Sequence, residues 1–129
     1  MSEVRDGLRY TTEHEYLKEA HESGVYFVGI TDYAQGELGD VVYVELPEPG
    51  DAFAPMETFG TIEAVKAVSD LYCPVAGEIV AVNDALDDDP ALVNTDPYGE
   101  GWMVQLRVDD PSELEMLMDA AAYEALITE

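Results

Sequence analysis

Short runs of β-branched and aromatic residues recur along this chain, each closed by a glycine, proline or aspartate before it can lengthen. That punctuation points to a mainly β body with short helices. The runs are 9–17, Gly24-Val25-Tyr26-Phe27-Val28-Gly29-Ile30, Asp40-Val41-Val42-Tyr43-Val44-Glu45-Leu46, 57–65 followed by 71–75, 77–83 and 102–108. Ser23-Gly24, Pro47-Glu48-Pro49-Gly50 and Tyr98-Gly99-Glu100-Gly101 supply turns between them. Pro74 confines its arm to an edge or an end of a sheet, because it has no N–H to give a ladder. Thr31 is placed to cap a short helix and Gly39 to end it. The acidic run Asp87-Asp88-Asp89, followed by Pro90, reads as the cap of another short helix through 91–93.

The period changes near the C-terminus. Ser112-Glu113-Leu114-Glu115 fits a capping box, and Leu114, Leu117, Met118, Ala121, Ala122 and Ala125 share one helical stripe. Together they predict one helix over about 112–127, packed on the β core, with its methionines used for packing. A weak internal repeat sets Gly39-Asp40-Val41-Val42-Tyr43-Val44 against Gly77-Glu78-Ile79-Val80-Ala81-Val82. Two copies fit a sandwich of two related sheets, with the hairpin between the copies, within about 57–83, projecting from one end. Residues 1–129 read as a single domain, long enough to bury a core without disulfides or metal.

Lys66 lies on that hairpin, in Glu63-Ala64-Val65-Lys66-Ala67-Val68-Ser69-Asp70, and is one of only two lysines. A strongly hydrated ammonium gains little from apolar neighbours. Two readings stand: a solvent-facing lysine at a turn, or an acceptor lysine presented for covalent attachment of a swinging cofactor. Glu63 and Asp70 either register the hairpin or simply solvate its turn, and small Ala64 and Ala67 leave room for a ligase to grip the backbone. The other lysine, Lys18, lies among Glu15, Glu19 and His21 without such a context.

Charge excludes some functions. Twenty-nine Asp and Glu against five Lys and Arg give a net charge of −24, which is wrong for a nucleic-acid partner. No calcium-loop spacing accompanies the acids. The surplus fits a high-salt cytoplasm, where repulsion between surface carboxylates is screened within a few ångströms. The single cysteine, Cys73, has no intrachain partner and fits a reducing compartment. Met1-Ser2-Glu3-Val4-Arg5 shows no export leader, and no apolar run approaches the length of a membrane span, so a soluble, unexported protein is expected. No nucleophile elbow or phosphate-cradling glycine loop is present, and two histidines, His14 and His21, are too few for most metal sites. An enzyme is not expected.

Around Lys66, Glu63-Ala64-Val65-Lys66-Ala67 with Ser69-Asp70 and then Pro74-Val75-Ala76-Gly77-Glu78-Ile79-Val80 resembles the lipoyl-lysine hairpin of the glycine cleavage system H-protein family. The resemblance extends to Tyr10-Thr11 with Glu13-His14-Glu15, Val28-Gly29-Ile30-Thr31, Tyr33-Ala34-Gln35, Leu38-Gly39-Asp40, Val42-Tyr43-Val44-Glu45-Leu46-Pro47, Leu92-Val93-Asn94 and Asp96-Pro97-Tyr98-Gly99 with Gly101-Trp102. It runs in order from about Tyr10 to the C-terminal helix. Tyr16 stands where the family commonly has tryptophan, and Cys73 where serine is frequent. The latter is expected to be packed and unreactive.

The resemblance implies a lipoyl/biotinyl-type hybrid barrel-sandwich of two small sheets with a C-terminal helix, and lipoate attached covalently to Lys66. It implies a carrier cycle with no bond-breaking by the chain itself. The partners would be a pyridoxal-phosphate glycine decarboxylase, a tetrahydrofolate-dependent aminomethyltransferase, a dihydrolipoyl dehydrogenase, and a lipoate ligase or lipoyltransferase, with the chain a monomer. A loaded arm would need shielding from water, and its ammonium a carboxylate. Glu15 and Asp70 are the candidates for that pocket, with Glu13 and His14 nearby. The other reading of Glu13-His14-Glu15 is an exposed acidic strand end. Rival assignments are a biotin carrier, which usually has methionines beside its lysine, the lipoyl domain of a 2-oxoacid dehydrogenase acyltransferase, and a lipoate-relay protein outside glycine cleavage.

Overall fold

The computed structural model describes residues 3–128; residues 1 and 2, which open the N-terminal stretch read above, and residue 129 lie outside it. In chain order the elements are β1 (Arg9–Tyr10), β2 (Glu15–Glu19), β3 (Val25–Ile30), α1 (Asp32–Leu38), β4 (Val41–Glu45), β5 (Ala52–Phe53), β6 (Thr58–Ala64) and β7 (Val68–Tyr72). They continue with β8 (Gly77–Val82), α2 (Ala85–Asp88), α3 (Leu92–Thr95), β9 (Val104–Val108), a 3-10 helix at Pro111–Met116 and α4 (Ala120–Ile127). The strands form a six-stranded sheet in the order β1-β2-β3-β9-β8-β5 and a three-stranded sheet in the order β4-β6-β7. All pairings are antiparallel. Neither sheet closes into a barrel. The two copies of the internal repeat fall on different sheets, β4 in the smaller and β8 in the larger, and β6–β7 is the hairpin between them.

Alternation along the strands builds the core between the sheets. Leu17, Val28, Ile79 and Leu106 of the larger sheet share one buried cluster with Val44, Ile62 and Leu71 of the smaller. Each such side chain stabilises the fold by about 1.5–3 kcal/mol. A separate cluster gathers Tyr10, Tyr16, Tyr98 and Tyr123 around Leu8, and the Tyr10 and Tyr123 rings stack at 4.5 Å. Tyr16 is fully buried there, its hydroxyl donating to the Pro97 carbonyl. Pro74 follows β7, an edge strand, where no ladder bond is asked of it. Thr31 caps α1 by accepting from the Ala34 N–H, and Gly39 ends it at φ +82°.

Four expectations need correction. The descending arm of the Lys66 hairpin, read over 71–75, is β7 over Val68–Tyr72: the tight turn sets Val68 opposite Glu63, and the strand stops before Pro74, which has no N–H for a ladder. The segment 9–17 is not continuous: it folds back at Thr11–His14, pairing Tyr10 with Tyr16, because Thr11 accepts from the Glu13 and Glu15 N–H groups and His14 turns left-handed at φ +71°. The predicted helix over 112–127 is two elements. Asp110, not Ser112, caps the 3-10 turn, the chain extends at Leu117, and Met118 exchanges two backbone hydrogen bonds with Tyr10 before Asp119 caps α4. Those bonds satisfy the otherwise open edge of β1, which a continuous helix would leave unpaired. Finally, Asp87 and Asp88 lie inside α2 and Asp89 follows it, while α3 starts without a side-chain cap. Burial of Leu86 and the Asn83 bonds to the Ala85 and Leu86 N–H groups fix α2 upstream of the acidic run.

Candidate functional site

The β6–β7 hairpin carries Lys66 at its tip. Register Glu63↔Val68 leaves a short loop, closed by the Ala64 N–H donating to the Ala67 carbonyl at 2.8 Å. Val65 and Val68 are 74% and 66% exposed, so the tip stands clear of the core. Ala67 is exposed but Ala64 turns inward and is buried, so only one of the two small residues flanks an open approach. Lys66 is exposed, and no hydrogen bond or ion pair among the described residues engages its amine. Its stem crosses Gly39: a Cβ built there would lie 2.9 Å from Lys66 Cε. Lys18 differs, donating to the Tyr98 carbonyl at 3.0 Å.

Beside the hairpin lies a cleft of about 290 Å³. Ile30, Ile62 and Leu71 form its apolar floor, α1 contributes Ala34, Glu37 and Leu38, and the turn before β2 contributes Glu13, His14 and Glu15. Ser69 and Asp70 close it on the hairpin side. Leu38 lines the cleft and the next residue, Gly39, underlies the Lys66 stem. The four pocket residues named from the sequence therefore share one cavity, with Glu13 and Asp70 exposed on its rim and Glu15 in its wall.

Glu15 is 2% exposed, so the reading of an exposed strand end does not hold for it. Its Oε1 accepts from Thr11 Oγ1 at 2.7 Å and its Oε2 from the Tyr72 N–H at 3.3 Å, which ties the larger sheet to β7. Burial, which penalises the charged form, raises its carboxyl from the ordinary 4.5 to about 7, although both hydrogen bonds pull the other way. Burial also lowers the His14 pKa, against the pull of Glu13 and Glu37, so the imidazole is neutral at pH 7. His14 Nδ1 lies 2.8 Å from the Tyr123 hydroxyl, which lies 2.7 Å from Thr31 Oγ1. Tyr123 is a wall-supporting residue that the sequence did not mark, since 109 positions separate it from His14. Cys73 is buried, its thiol donates to the Val75 carbonyl, and burial pushes its pKa up to about 12, so it is packed and unreactive.

Among the described residues no group of three metal-ligating side chains converges, and no helix is long and apolar enough to cross a membrane. Two facing sheets, with a projecting hairpin whose tip carries a lysine that no described residue engages, fit the lipoyl/biotinyl class of carrier fold that the sequence resemblance implies.

Comparison with known proteins narrows that class. The glycine cleavage H-protein family model matches residues 8–129. The chain is 55% identical to the glycine cleavage system H protein of Chlorobium limicola, over 98% of both chains. It is 51% identical to that of an Anaeromyxobacter strain, again over 98% of each. The crystal structure of a glycine cleavage system H protein from Mycobacterium marinum superposes with a TM-score of 0.84 at 38% identity, covering 98% of this chain and all of that one. The chain belongs to the glycine cleavage H-protein family, whose members are non-catalytic components that carry lipoate covalently on a lysine.

Proposed function

We propose that this chain is the lipoyl carrier of a glycine cleavage system and that Lys66 is its attachment point. The observation that carries the assignment is the contrast in amine environment: Lys66 is exposed on a hairpin tip and engaged by none of the described residues, whereas Lys18 is spent on a backbone carbonyl. For acylation the ε-amine must lose a proton and attack the carbonyl carbon of an activated lipoyl group, whose leaving group departs with the bonding electrons as the amide forms. A flexible four-carbon stem and an uncrowded amine suit that step. Once bound, the dithiolane supplies the sulfur that takes up a one-carbon unit and the electron pair passed on afterwards.

The chain's own contribution is tethering and shelter. The cleft beside Gly39 has an apolar floor and a carboxylate rim, which fits an aliphatic arm ending in an ammonium. Asp70 and Glu13 attract the cation at the mouth. Glu15, held by Thr11 and the Tyr72 N–H, offers a carboxyl in the wall whose ionised form a neighbouring ammonium would favour. Neutral His14 adds a polar ring without competing charge. Replacing Glu15 by Ala should speed loss of the aminomethyl group from the loaded carrier; an unchanged decay rate removes Glu15 from this role.

The partners proposed are a pyridoxal-phosphate glycine decarboxylase, a tetrahydrofolate-dependent aminomethyltransferase and a dihydrolipoyl dehydrogenase, with a lipoate ligase or lipoyltransferase for attachment, each meeting a monomeric carrier. Reconstitution with the first three tests this: glycine-dependent release of carbon dioxide is expected, and its absence from lipoylated protein would leave only a relay role. We place the protein in a high-salt cytoplasm. A net charge of −24, with only two ion pairs among the described residues, both exposed, supports that setting, because screening relieves the repulsion. Thermal stability should rise between low salt and molar KCl, and no rise would count against it.

A further inference from the structure

The lysine hairpin is held by more than its own two strands. At the tip, the Val65 N–H donates to the Asp40 carbonyl at 3.0 Å, fastening the hairpin to the segment between α1 and β4. That segment is gripped on both sides of Asp40 by one half-buried side chain, Asn94 of α3. Asn94 Oδ1 accepts from the Val41 N–H at 2.8 Å, and Nδ2 donates to the Gly39 carbonyl and to Gln35 Oε1, both at 2.9 Å. Gln35 is itself oriented by donating to Asp32 Oδ1 at 2.8 Å. The backbone partners fix the amide's orientation, because an N–H must meet Oδ1 and a carbonyl must meet Nδ2. Gly39, at φ +82°, is also the residue over which the Lys66 stem passes. One carboxamide thus secures the seat of the lysine stem and, through Asp40, the hairpin tip.

We propose that Asn94 is a positioning residue for Lys66, setting through the 39–41 segment how the amine is presented to the enzyme that acylates it. The proposal rests on the reading of Lys66 as the lipoyl acceptor. Asn94→Asp keeps the bond from Val41 but turns both donated bonds into repulsions, Asn94→Ala removes all of them, and Gln35→Ala removes one. A loosened tip spends less time in the geometry the acylating enzyme recognises, while the amine it presents is unchanged. The apparent KM should therefore rise and kcat should hold.

The test follows attachment of lipoate by a lipoate ligase with ATP, together with hydrogen exchange of the Val65 amide. Both Asn94 variants should raise KM for the carrier about tenfold, the scale set by loss of one or two net hydrogen bonds, with kcat within about twofold. Gln35→Ala should fall between them and wild type. The Val65 amide should exchange about tenfold faster in the Asn94 variants, while Ile79 and Leu106 in the larger sheet keep their wild-type rates. Unchanged KM and unchanged Val65 exchange, even with a lower denaturation midpoint, would make Asn94 a purely structural residue and overturn the proposal. If the wild-type protein takes no lipoyl group at Lys66, the acceptor reading fails separately, and the Val65 exchange alone then decides whether Asn94 holds the tip.

Discussion

The two lysines of this chain show how its two sheets divide the work. Lys18 lies on β2 of the six-stranded sheet, and its ammonium reaches across to the Tyr98 carbonyl, next to the buried tyrosine layer. Lys66 lies on the three-stranded sheet, past the last paired residues, with its stem over a glycine and its amine in solvent. The same side chain is a fastening in one place and, in the function proposed for it, a handle in the other. Chemical access, set by what the backbone offers within reach of Nζ, separates the two roles.

The strongest way to break the contrast is to exchange each lysine for arginine, which keeps the charge but cannot be acylated at neutral pH. Lys66→Arg should abolish lipoyl incorporation and glycine-dependent carbon dioxide release, while Lys18→Arg should retain both within about twofold. Incorporation surviving in the first variant would move the site elsewhere.

Glu15 stands where the two sheets meet, and its substitution should have the next largest effect. Its pKa is about 7 in the folded chain and near 4.5 when solvated, so between those values the folded state binds the proton more tightly than the unfolded state. Stability therefore falls as pH rises through that window, by on the order of 3 kcal/mol once the buried carboxyl is ionised. Glu15→Gln resembles the protonated form and should show no such loss. Its melting temperature should match wild type near pH 4.5 and exceed it above pH 7; parallel curves for the two proteins would contradict the assignment.

Within the tyrosine layer, Tyr123→Phe keeps the stacking on Tyr10 but takes the hydroxyl from His14 and Thr31. Urea denaturation should show a loss of about 2 kcal/mol, with lipoyl incorporation unaffected. Lys18→Met should be the mildest, costing about 1 kcal/mol for the lost bond to Tyr98 and leaving attachment intact. An attachment defect in either protein would mean that the two regions are coupled.

Much of this was legible in the sequence where the signal is local. Turn chemistry at Ser23-Gly24 and Tyr98–Gly101, the caps Thr31 and Gly39, and the place of Lys66 at a hairpin tip depend on near neighbours, and the structure places them as read, although the arm after the tip runs over Val68–Tyr72 and not 71–75. The C-terminal stripe predicts one helix where there are two elements, because the pairing of Met118 with Tyr10 is a long-range demand that no local stripe reveals. Similarly, the acidic run at 87–89 has the composition of a cap, but the burial of Leu86 sets α2 at Ala85–Asp88, so that Asp87 and Asp88 lie within it. Glu13, His14, Glu15 and Asp70 were singled out together, but their shared cavity, the burial of Glu15 and the hydroxyl of Tyr123 behind His14 arise only when distant segments meet. Sequence contiguity carries no record of those distances.

The most direct test of the central claim is intact-mass analysis of the protein expressed in lipoate-replete cells, followed by peptide mapping. The account predicts one lipoyl mass per chain, located on Lys66 and absent from Lys18. A lipoyl mass on Lys18, a biotin-sized mass at Lys66, or no added mass at all would contradict it.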